Sequence, residues 1–256
     1  MHTQELIDDF CCLPCRKGLY EAVAARSTLT FQPSQSTSWH SKTVAGQTTI
    51  WYSPTKHPNA CLGHELLHAR LKLTGYKQYV VSVCATEKRR LISGLLGMLD
   101  NELQHHKFYP DFLALQFTPA EMYHDSDKAT DRELREIVAE LRRGDPPEDF
   151  LRAYVTVIAP GGAATSSERE QWKQLLRDRC PDRYWKRLDT IQQVISEYAR
   201  GIDLDAGPTL VRILRALGGY DPTWVGPSED GFPDAGYFVG NPFHWDRPDA
   251  LSRSEE

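Results

Sequence analysis

His64-Glu65-Leu66-Leu67-His68 sits inside the run Asn59-Ala60-Cys61-Leu62-Gly63-His64-Glu65-Leu66-Leu67-His68-Ala69-Arg70-Leu71, which reads as one continuous helix. Positions i and i+4 of a helix lie one above the other on the same face. Two imidazoles placed that way can grip one metal ion, and a Glu beside the first reaches a water on that ion. The plainer alternative is two surface histidines on a solvated helix.

The flanking sequence supports the helix. Pro54, Pro58 and Asn59 punctuate a loop and start it, with Pro58 acceptable in its first turn, and Gly75 ends it. Leu62, Leu66, Ala69 and Leu73 supply a core face. Upstream, Leu6, Ile7, Phe10, Leu13, Leu19 and Val23 are interrupted by Pro14 and Gly18, which predicts two short helices. Between Thr28 and Tyr52 the chain turns to Thr, Ser, Gln and aromatics. Strands are expected near 29–32, 38–44 and 47–52.

A second helix is expected from Ser82 or Thr86 to about Phe108, stopped by Pro110. Leu91, Leu95, Met98, Glu102, His105 and Tyr109 form one stripe along it. A carboxylate inside an apolar stripe is costly to bury unless something compensates it, and a cation does so. Catalytic zinc sites use three protein ligands and an open fourth position. The expected metal set is therefore His64, His68 and Glu102 around one Zn2+ ion. Asp100, about 200° of helix rotation away, is the competitor and falls on the polar side. Six histidines, His57, His64, His68, His105, His106 and His124, crowd between positions 57 and 124, as expected of one polar site.

HELLH on one helix, followed by Asn101-Glu102-Leu103-Gln104-His105 on a later one, resembles the gluzincin branch of the zincin metallopeptidases. The likeness covers these two helices and the β-segment before them. It implies a zinc-dependent metallopeptidase, an endopeptidase acting on a peptide or protein. Zinc would acidify a water and polarise the scissile carbonyl, and Glu65 would take the proton and pass it to the leaving amine. It also implies a His or Tyr near the third ligand to stabilise the oxyanion: His105, His106, Tyr109, Tyr123 or His124. The strand at 47–52 would pair with an extended substrate, and Trp51 and Tyr52 would shape a pocket or simply pack on the helices. Two rival readings remain open. One is a non-catalytic structural or regulatory zinc domain, with His105 or His106 closing the site, that acts by binding a partner. The other is an enzyme whose cleft is covered by the tail around Phe238, Phe243, His244 and Trp245.

The fold class expected is α+β and mostly helical: a small antiparallel sheet packed on a zincin-type helix pair, then a C-terminal helical region. Three parts follow: a core over 1–125, a helical extension over 126–220, and a Pro/Gly/aromatic-rich tail over 221–256 that wraps the surface. Within the extension, helices are expected at 131–143, 148–158, 167–178, 181–199 and 208–217, with a flexible connector at 160–167. A regulatory protein is a candidate partner for these helices. The net charge of −5 gives no electrostatic reason to expect nucleic acid. No apolar run reaches the roughly 18 residues of a membrane span. The first ten residues are no signal peptide, so a cytoplasmic location is expected, with export by a signal-less route left open. Six cysteines are then expected as thiols, and Cys12-x-x-Cys15 has no second pair with which to build a zinc knuckle.

Overall fold

In a computed structural model of the protein, residues 3–36, 38–84, 89–123 and 135–244 are described here. The two short N-terminal helices form as expected, α1 over Thr3–Phe10 and α2 over Pro14–Ala24. Strands β1 (Thr28–Pro33), β2 (His40–Val44) and β3 (Gln47–Tyr52) follow, then the motif helix α3 (Pro58–Leu73). Strand β4 (Val81–Cys84) leads to the long helix α4 (Arg89–Ala114). Residues 135–140 are helical, and the 131–134 portion of the expected helix lies outside the described residues. Helices α5 (Pro147–Ile158), α6 (Ser166–Arg179), α7 (Asp182–Arg200) and α8 (Gly207–Leu217) come next, then β5 (Thr223–Gly226) and β6 (Tyr237–Val239). The chain is a mostly helical α+β fold. Among the described residues no helix is long and apolar enough to cross a membrane.

The first sheet has the order β1-β3-β2. β2 runs antiparallel to β3, but β1 runs parallel to it, so the sheet is mixed rather than purely antiparallel. The strand expected to meet substrate, β3, is the central one, and the edges belong to β1 and β2. The β2 strand contacts α3, where the Ser41 hydroxyl donates to the Glu65 carbonyl at 3.3 Å.

The tail does not merely wrap the surface. β5 pairs antiparallel with β4, β6 pairs with β5, and Trp224 is fully buried. A segment rich in Pro and Gly still forms a sheet here because β4 presents a free edge and burying Trp224 repays the pairing.

Two hydrophobic clusters divide the interior, and α4 runs through both. Its first half, with Ile92, Leu95, Leu96, Leu99 and Leu103, packs with α5, α7, α8 and the second sheet. Its second half, with Phe108 and Phe112, packs with α1, α2 and α3. This explains why α4 continues to Ala114 through Pro110, which was expected to end it. Pro110 forfeits one backbone hydrogen bond, whereas Phe108 and Phe112 on either side are fully buried. The stripe expected along α4 holds from Leu95 onward, while Leu91 is exposed.

Candidate metal centre

α3 is buried on every side from Ala60 to Ala69. Its polar motif residues are buried with it: His64 is 3 % exposed, Glu65 3 % and His68 8 %. Surface histidines on a solvated helix are excluded by those values. Gly63 lets the helix approach its neighbours, since a Cβ there would stand 2.6 Å from the Phe117 ring.

His64 Nε2 and His68 Nε2 lie 3.1 Å apart. Two imidazole nitrogens on one tetrahedral Zn2+ would stand about 3.3 Å apart at ordinary Zn–N lengths. The third imidazole is His105 of α4. One donor atom from each of the three lies within 4.8 Å of the other two, and all three residues are buried.

His105, one turn beyond Glu102 on the same stripe, thus joins His64 and His68 in a group that could hold a metal ion. Glu102 stands beside it in the cavity lining: its Oε2 lies 3.3 Å from His105 Nδ1. Asp100, expected on a polar face, is fully buried. Its carboxyl is turned inward, onto Tyr76 and Gln104, while the exposed face at that level is occupied by Asn101.

Asp100 belongs to a relay that ends on His68. The Tyr76 hydroxyl donates to Asp100 Oδ1 at 3.0 Å, and Gln104 Nε2 donates to Asp100 Oδ2 at 2.8 Å. Gln104 Oε1 lies 2.9 Å from His68 Nδ1. Polarity fixes the rest. Burial pushes the Tyr76 phenol well above its usual range, so it stays a donor. The amide nitrogen is committed to Asp100, so the amide oxygen accepts and His68 Nδ1 carries its proton. His68 Nε2 then carries the lone pair and presents it toward His64. Burial raises the Asp100 carboxyl above the usual range, although hydrogen bonds from Tyr76, Gln104 and Gln78 and the charge of Lys72 pull it back.

The triad opens on a cavity of about 450 Å3. His40 and Ser41 of β2, Glu65 and Lys72 of α3, Gln78, and Asn101 and Glu102 of α4 line it. Burial pushes the Glu65 carboxyl up to about 7, against a Ser41 hydrogen bond and the nearby His105 and Lys72. A carboxyl with that value is suited to exchanging protons near neutral pH.

The remaining expected residues divide. Tyr123 lines the cavity with its ring edge-on to His105, 5.4 Å between centroids, but its hydroxyl donates to the Pro160 carbonyl at 2.8 Å. His106 and Tyr109 do not line the cavity. Burial lowers the His106 imidazole, and Tyr109 lies close against Gly161. His124 lies outside the described residues. Trp51 stacks on His40 at 4.7 Å and Tyr52 packs on Trp39, so both aromatics pack rather than shape the cavity. In the tail, Phe238 and Phe243 pack on Phe232 and none of the three lines the cavity, while Trp245 lies outside the described residues. All six cysteines are free.

Polar lining residues that sequence reasoning missed include His40, Ser41, Lys72 and Gln78. The signal was present only for Lys72, four residues past His68 on the same helix face. No protein-family model, curated protein or solved structure matches the chain.

Proposed function

We propose that the protein is a zinc-dependent metallopeptidase of the zincin type, cutting a peptide or protein. One observation carries the reading. A buried carboxyl, Glu65, shares a cavity with three converging imidazoles. Three neutral imidazoles suit zinc, and they leave one corner of a tetrahedron for the reaction.

A cation held there supplies a Lewis acid that polarises a scissile carbonyl and makes a water acidic enough to attack it. The chain's own residues do the rest. His64, His68 and His105 hold the ion, and the Gln104 relay and the Glu102 carboxylate orient His68 and His105. Glu65 takes the proton of the attacking water and returns it to the leaving amine. Tyr123 edges the same space, so of the expected oxyanion partners it supports that role best, its hydroxyl having first to leave Pro160. The triad borders open space, which favours an accessible position over a closed structural site. The six free thiols agree with a cytoplasmic setting, and a protein partner for the C-terminal helices belongs to the same proposal.

Glu65→Gln tests this reading. The variant should retain zinc and lose hydrolysis by roughly 10²–10⁴-fold, read by metal analysis beside a proteome-wide cleavage screen against wild type. Equal cleavage by both proteins would remove the mechanism.

A further inference from the structure

Lys72 is the sole Lys or Arg among the described residues that line the metal cavity. It follows His68 by one turn of α3, so the two side chains leave the helix on the same face. The residue is half-buried, and a buried ammonium is costly unless a partner compensates it. Its neighbours offer only long-range help. Asp100 and Glu65 act on it through space and Lys42 opposes them. Among the described residues no carboxylate stands within ion-pair distance of it and no side-chain hydrogen bond holds it.

Of the two nearby carboxyl groups, Asp100 is held by Tyr76 and Gln104, and Glu65 is the base of the proposed mechanism. Gln78 adds an amide to the cavity lining, and Gly97 adds no side chain, with open space where a Cβ would stand. The cavity therefore has a polarised wall: three imidazoles and a base, then a cation short of a counter-ion.

We propose that Lys72 anchors a carboxylate of the substrate, so that the preferred substrates carry a carboxylate beside the bond presented to the metal. A free C-terminus and an Asp or Glu side chain supply the same chemistry. What happens to the bound peptide rests on the hydrolase reading above; the binding itself does not.

The test compares binding by calorimetry, on the zinc-loaded full chain carrying Glu65→Gln to prevent turnover. Acetyl-Ala-Phe with a free carboxylate is set against its C-terminal amide. Acetyl-Ala-Glu-Ala amide is set against its Gln counterpart. One of the two carboxylate probes should bind at least about tenfold more tightly than its neutral partner. Which pair shows the difference identifies the source of the carboxylate. Lys72→Met should erase the difference and Lys72→Arg should keep part of it. Repeating the comparison in metal-free protein separates Lys72 from direct coordination of the carboxylate by zinc.

A preference that survives Lys72→Met, or no preference in either pair, overturns the anchor. If Lys72→Met does not fold, the wild-type preference and its retention in Lys72→Arg decide. Cleavage of the same peptides by wild type is a separate readout. Its absence would count against the hydrolase reading and leave the anchor standing.

Discussion

Gln104 Oε1 sits 2.9 Å from Nδ1 of His68, on the far side of the ring from His64. The contact fixes both the tautomer and the tilt of His68. Gln104→Leu should keep the helix and its packing while freeing the ring. Zinc affinity should fall about 10- to 100-fold, measured by competition with a chelator. An unchanged affinity would show that the relay through Asp100 and Tyr76 serves only the fold.

His105 and Glu102 make opposite claims on the third ligand position, and substitution separates them. His105→Ala should lose zinc more severely than Glu102→Gln, for which about a 10- to 100-fold loss is expected of a residue that only orients the ligand. The reverse order would return the carboxylate to the metal.

Gly63 looks like a weak point in a helix, where Ala is ordinarily better by about 1 kcal/mol. The Phe117 ring makes the opposite sign the expected one. Gly63→Ala should destabilise the protein by about 1–3 kcal/mol in urea unfolding, because a well-packed ring must move. A more stable variant would mean that Phe117 yields without cost.

Asp205 ties the second sheet to the segment after α3. It accepts from Lys77 at 3.1 Å, from Tyr79 at 3.3 Å, from Tyr237 at 3.0 Å and from the Gly207 amide at 3.0 Å. Burial alone would raise its carboxyl, but these donors outweigh it and hold the group below its usual range. A folded value below the unfolded one, about 3.9, contributes stability that is present above it and is lost as pH falls through the folded value. Wild type should therefore exceed Asp205→Asn by about 2 kcal/mol near pH 7. The gap should narrow below about pH 4. A gap independent of pH would assign the effect to packing.

Local rules made the motif helix legible. The spacing of His64 and His68, the Pro58 start and the Gly75 stop depend only on residues a few positions apart, and so do the α-helices of the C-terminal half. The same rules marked the stripe on α4 that carries Glu102 and His105, but they could not say which turn of it meets α3. That offset is set by Phe108 and Phe112 packing on α3 at one end of α4 and by Leu95, Leu99 and Leu103 packing on the C-terminal helices at the other.

The sequence by itself determined a mostly helical α+β chain with two imidazoles and a carboxyl one helical turn deep, because helical periodicity is a short-range property. Tertiary structure decided that His105 comes together with His64 and His68, that β3 lies between the edge strands β1 and β2, that the tail closes a second sheet, and that Asp100 is buried. Each of these depends on which surfaces of distant segments bury one another, and no local spacing encodes that choice.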